Sequence, residues 1–113
     1  MADWPEAPAD LSALVVDDST AFRTMLAKLL RVDGWKVLEA ATRERALELA
    51  LVHRPAVIIL DWVLAREDDG LEVLRALRRR RGTAATPVVM VSAFRDDADD
   101  EALAMSAGAT LFF

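Results

Sequence analysis

The chain has 113 residues, 54% hydrophobic and 29% charged, enough for one domain with one core and outside the disordered range. Its net charge of -5 argues against a nucleic-acid-binding surface and suits a protein that holds a cation, and the absence of cysteine removes disulfides, thiolate catalysis and zinc–sulfur sites. No apolar run approaches membrane-spanning length, and Met1-Ala2-Asp3-Trp4-Pro5 lacks a signal-peptide pattern, so a cytoplasmic protein without membrane contact is expected.

Residues 1–10, with Pro5 and Pro8 among small and acidic residues, read as a flexible leader. Leu11–Val16 is a first strand that runs into Asp17-Asp18-Ser19, where Ser19 or Asp18 caps the following helix. In that helix Phe22, Met25, Leu26, Leu29 and Leu30 form a one-sided apolar stripe, expected to be core packing, and Gly34 closes it. Trp35–Ala40 mixes polar and apolar residues, as an edge strand does. Thr42 caps a second helix with Ala46, Leu47, Ala50 and Leu51 inward, stopped by Arg54-Pro55. His53, the single histidine, falls in its last turn, where it complements the helix dipole; no Ser or Cys elbow offers it a catalytic role.

The rest of the chain is arranged around Ala56-Val57-Ile58-Ile59-Leu60-Asp61. Five apolar residues running into one carboxylate read as a strand buried on both faces, with Asp61 at its carboxyl end, where open α/β sheets place ligands. A loop, Trp62 to Asp69, leads to a third helix capped by Asp69 or Asp68, with Leu71, Leu74 and Leu77 buried. The arginines Arg78 to Arg81 that end it read as a solvated face complementing the helix C-terminus rather than as a nucleic-acid site. Thr86–Ser92 is a fourth strand. The acidic run Asp96 to Glu101 suits the first turn of a fourth helix reaching about Ser106 and lacks the spacing of a calcium loop. Gly108 ends that helix, and Ala109–Phe113 begins a fifth strand.

This β-α alternation with short connections predicts an α/β fold: a doubly wound, five-stranded parallel sheet of order 2-1-3-4-5, flavodoxin-like. That order brings Asp17, Asp18 and Asp61 together at one edge, with Ser92 beside them. Three clustered carboxylates repel unless a proton or a cation relieves them, and hard oxygen ligands suit Mg²⁺. An Asp beside Mg²⁺ can act as a nucleophile toward a phosphoryl group. The chain has no Walker loop and no G-x-G-x-x-G motif to support nucleotide binding.

Val15-Val16-Asp17-Asp18-Ser19, Ile58-Ile59-Leu60-Asp61-Trp62-Val63-Leu64, Asp69-Gly70, Pro87-Val88-Val89-Met90-Val91-Ser92-Ala93 and Ala107-Gly108-Ala109 together resemble the receiver domain of two-component response regulators, over residues 11–113. The resemblance implies a phosphoacceptor module and not an enzyme. It implies Mg²⁺ held by Asp17, Asp18, Asp61 and the Val63 backbone carbonyl, and phosphotransfer to Asp61 from a sensor histidine kinase or phosphotransfer protein. It makes Ser92 the switch hydroxyl and Phe112 the aromatic switch position, acting on an output domain or a downstream protein. Val63 and Phe94, both apolar, fall where such domains influence hydrolysis, which implies slow loss of the phosphoryl group.

The chain departs from the family at three points. Ala65 stands where the family has Pro, and the loop to Asp69-Gly70 is one residue longer than usual. The Lys-Pro pair and fifth helix that follow strand five in the family are missing, and the two lysines present, Lys28 and Lys36, lie in the first helix and on the edge strand. A receiver cut from a longer chain is expected, its uncovered sheet face and Leu111-Phe112-Phe113 strand driving self-association. The other explanation of the short chain is a naturally short or degenerate receiver that completes itself by pairing with another copy. The alternative function is that of a pseudo-receiver, an interaction module indifferent to phosphate. A phosphatase reading needs an acid two residues after Asp61, where Val63 stands.

Overall fold

A computed structural model describes residues 11–92 and 97–113; the expected leader, 1–10, and Phe94 lie outside these. The elements are β1 (Ser12–Val16), α1 (Thr20–Val32), β2 (Lys36–Ala40), α2 (Arg43–His53), β3 (Val57–Asp61), α3 (Asp69–Arg79), β4 (Val88–Val91), α4 (Ala98–Ser106) and β5 (Leu111–Phe112). All strand pairs are parallel, in the order β2-β1-β3-β4-β5. This is the flavodoxin-like arrangement that the alternation predicts.

Local chemistry sets the helix ends. Ser19 Oγ accepts from the Phe22 N–H at 3.3 Å, so Ser19 rather than Asp18 caps α1. Thr42 and Asp97 cap α2 and α4 in the same way, accepting from Arg45 N and Asp100 N. Asp68 stands at the N-cap of α3 without a capping bond; its carboxylate accepts instead from Trp62 Nε1 at 3.2 Å. Pro55 cannot continue α2, and Arg54 leaves it in the left-handed conformation at φ 45°.

Alternation along the strands sorts the sheet into two faces. Leu14, Val16, Ile58, Leu60, Val88 and Met90 turn toward α2, α3 and α4 and join one core with Ala46, Leu49, Ala50, Leu71, Leu74, Leu77 and Ala104. Leu49, not Leu51, is the buried leucine of α2, while Leu51 is half-buried. The opposite face carries Ala13, Val15, Val57, Ile59, Val89, Val91 and Leu111. Here α1 fully covers Ala13 and Val15, whereas Val57, Ile59, Val89 and Val91 are half-buried and Leu111 is exposed.

The apolar stripe of α1 therefore departs from expectation. Ala27 is its buried residue, Leu26 and Leu30 are half-buried, and Phe22, Met25 and Leu29 are exposed. The helix packs against β1 and β2, and much of the apolar stripe read as core stays outside that contact. The arginine run departs as well. Arg78 is half-buried, and its guanidinium donates to the carbonyls of Gly108, Thr83 and Ala84, which ties the end of α3 to the α4–β5 turn. Arg79, Arg80 and Arg81 are exposed.

Candidate functional site

Asp17 and Asp18 follow β1, and Asp61 ends β3. Val16 pairs with Leu60 across these neighbouring strands, which sets the acidic pair beside Asp61. One carboxylate oxygen from each of Asp17, Asp18 and Asp61 lies within 4.8 Å of the other two. The next strand adds Ser92, because Asp61 pairs with Val91. The cluster opens into a cavity of about 450 Å³ lined by Asp17, Asp18, Ser19, Phe22, Asp61, Val63, Val91 and Ser92. The four residues predicted to converge do so, and Val63 joins them.

Hydrogen bonds fix the side chains. The Ser19 N–H donates to Asp17 Oδ1 at 2.8 Å, and the Val63 N–H donates to Asp61 Oδ1 at 3.3 Å. The Arg23 guanidinium donates to the Asp17 carbonyl at 2.8 Å and pairs with Glu39 on β2 at 3.3 Å. No lysine or arginine lines the cavity among the described residues; Lys28 and Lys36 are both exposed, on α1 and β2.

Burial pushes the Asp61 carboxyl up to about 6, the charges of Asp17 and Asp18 push the same way, and the Val63 N–H only partly offsets them. Burial also raises Asp17, with Asp18 adding to the rise while the Ser19 N–H and Arg23 oppose it. Two neighbouring acids held above their ordinary range describe a site that gains from a cation. The donors are all hard oxygens and the cavity has room for water, so the set fits Mg²⁺.

Phe112 sits outside this cavity. It packs on the core from β5, its ring edge-on to Trp62 with centroids 5.9 Å apart and planes at 80°. Trp62 directly follows Asp61 and is fully buried, so one side chain links the acidic loop to the Phe112 position. Two supporting residues escape a reading of the sequence for chemistry. Trp62 looks like an unremarkable apolar loop residue. Gly70 packs so closely on the strand end that a Cβ there would lie 2.0 Å from the Asp61 carbonyl oxygen, while its N–H donates to the Trp62 carbonyl at 2.8 Å. The Asp69-Gly70 pair is the available signal for that close approach.

An open parallel sheet with a carboxylate cluster at the switch point between β1 and β3 defines a class of α/β proteins that bind ligands at strand ends. A family profile described as the response regulator receiver domain matches residues 13–113, and the chain belongs to that family. It is 40% identical over 98 residues to the KDP operon transcriptional regulatory protein KdpE of Escherichia coli K12, covering 87% of this chain and 41% of that protein. It is 39% identical over 88 residues to the transcriptional regulatory protein AfsQ1 of Streptomyces coelicolor, covering 78% of this chain and 37% of that one. The chain thus spans about two fifths of the length of these relatives. Among solved structures, the chemotaxis protein CheY4 of Vibrio cholerae matches with TM-score 0.84 and 29% identity over 91% of this chain and 84% of that one. A response regulator from Chloroflexus aurantiacus matches with TM-score 0.82 and 29% identity over 91% and 83%. The chain is a receiver domain of two-component response regulators, and no helix among its described residues is long and apolar enough to cross a membrane.

Proposed function

We propose that this receiver accepts a phosphoryl group on Asp61. The observation that carries the reading is the convergence of the Asp17, Asp18 and Asp61 carboxylates within 4.8 Å at the mouth of an open cavity. An Asp61 carboxylate oxygen forms the bond to phosphorus while the phosphorus–nitrogen bond to the donor imidazole breaks, so the donor is a sensor histidine kinase or a phosphotransfer protein. Asp17, Asp18, Asp61 and the Val63 carbonyl would hold Mg²⁺, which when bound offsets charge on the phosphoryl oxygens. Ser92, on the cavity wall, donates its hydroxyl to one of those oxygens. Phe112 then reports the change to a partner-binding surface, its contact with Trp62 supplying the path from the residue next to Asp61. An output domain or a downstream protein reads that surface.

The test is labelling with a small acyl phosphate donor, read by intact mass. A Mg²⁺-dependent gain of one phosphoryl group is expected, lost in Asp61→Asn. Labelling that survives Asp61→Asn, or its absence in the unaltered chain, overturns the assignment. One observation favours a second reading, an interaction module that ignores phosphate: among the described residues, no basic side chain lines the cavity to meet a phosphoryl oxygen. Partner binding unchanged by Asp61→Asn would support it.

A further inference from the structure

A second concavity shares no residue with the acidic cavity. It is a groove of about 280 Å³ between α2 and α3, lined by Arg43, Leu47, Glu72, Arg75, Ala76 and Arg79. These two helices close the buried core with their inner sides, through Ala46, Leu49, Ala50, Leu71, Leu74 and Leu77. The groove is therefore no part of the uncovered sheet face beside α1 and β5.

Its charges are unequally matched. Arg43 is half-buried and pairs with Glu44, Asp69 and Glu72. Arg75 and Arg79 are exposed, and among the described residues neither forms an ion pair, in a chain that carries 19 acidic residues. They stand at i and i+4 on α3, where like charges repel. Complementing the helix dipole accounts for Arg79 in the last turn but not for Arg75, one turn earlier. The arginine run thus divides: Arg78 ties α3 to the α4–β5 turn, Arg79 joins Arg75 on the groove, and Arg80 and Arg81 lie outside it. Leu47 and Ala76, both half-buried, give the lining an apolar part.

We propose that this groove docks an acidic helix of a partner protein. Carboxylates at i and i+4 of that helix meet Arg75 and Arg79, and an apolar side chain beside them meets Leu47 and Ala76. Spacing selects a helix, because acids one turn apart on one helix face recur at the same interval as Arg75 and Arg79. Size argues against a small molecule, whose sites run to about 300–1,000 Å³. Charge decides between a protein and a nucleic acid. Residues 72–81 carry a net charge of +4 in a chain of -5, so the remainder carries -9. Duplex DNA bears a charge about every 1.7 Å and would extend past the groove onto acidic surface. A short acidic helix ends within the basic patch and is repelled elsewhere, which fixes where it lands.

Fluorescence anisotropy of the full chain with a labelled peptide tests this. The probe is a helical peptide of about 20 residues with Glu at i and i+4 flanking Leu. Saturable binding is expected at about 50 mM salt, weakening as salt is added. Arg75→Glu and Arg79→Glu should each raise the dissociation constant by about 10-fold. A probe with Lys in place of Glu should bind the chain carrying both substitutions more tightly than it binds the parent. Arg81→Glu makes the same change in net charge outside the groove and should raise the constant by less than about 2-fold. All three arginines are exposed, so unchanged circular dichroism spectra are expected. Absence of saturable binding, equal weakening by Arg81→Glu, indifference to Leu→Ser in the probe, or tighter binding of a single-stranded DNA of equal charge would each overturn the proposal.

Discussion

Asp61→Asn should stabilise the metal-free protein, although it removes the residue proposed to carry the phosphoryl group. The folded structure holds the Asp61 carboxyl at about 6, against an ordinary value of 3.8, so folding opposes its ionisation. The full difference corresponds to about 3 kcal/mol between the protonation states. Asp61 is partly open to water, and screening reduces this to about 1.5 kcal/mol. A carboxyl raised on folding makes the native state bind more protons than the unfolded one between pH 4 and 6, so stability falls as pH rises through that window. Asparagine carries no such charge. Urea unfolding with a chelator present should therefore show Asp61→Asn more stable by about 1.5 kcal/mol at pH 7.5, with most of the advantage gone at pH 4.5. Millimolar Mg²⁺ should raise the stability of the unaltered chain far more than that of the variant, since a ligand that binds the native state stabilises it by mass action. A variant less stable than the parent at pH 7.5 in chelator, or a difference that does not change with pH, would show that Asp61 is not held against its charge.

Gly70→Ala should cost about 3 kcal/mol or more by urea unfolding, because its Cβ would meet backbone at 2.0 Å and 2.7 Å, on the Asp61 carbonyl and on Trp62. Arg78→Ala should cost about 2 kcal/mol, leaving the carbonyls of Gly108, Thr83 and Ala84 without this donor, whereas Arg79→Ala and Arg80→Ala should stay within about 0.5 kcal/mol in the same assay. Phe94→Glu should shorten the phosphoryl lifetime in a decay assay after donor removal; an unchanged lifetime counts against an apolar block to water at that position.

How far each part was legible follows from how local its cause is. The run Val57-Ile58-Ile59-Leu60 is apolar at every position, the mark of a central strand in a parallel sheet, so that strand and Asp61 at its end could be read directly, although Val57 and Ile59 prove only half-buried. The convergence of Asp17, Asp18 and Asp61 needed one further step, the strand order, which right-handed crossovers restrict to few choices. The stripe of α1 resisted the same treatment. Periodicity establishes that Phe22, Met25 and Leu29 share a side; it does not say what lies opposite, and here the opposite surface is a half-buried sheet rather than a filled core. Arg78 is harder still. Nothing in a run of four arginines marks the first as the one whose guanidinium reaches three carbonyls, because that depends on Gly108, thirty residues on, turning through φ 109° close against the Arg78 side chain. Trp62 shows the same dependence at the site itself. Its contact with Phe112 is set by β4 and β5, which bring that ring edge-on to the indole. Chemistry that sits at strand ends is therefore visible in sequence, because strands announce themselves, while the contacts that would carry a signal away from Asp61 appear only once distant segments have met.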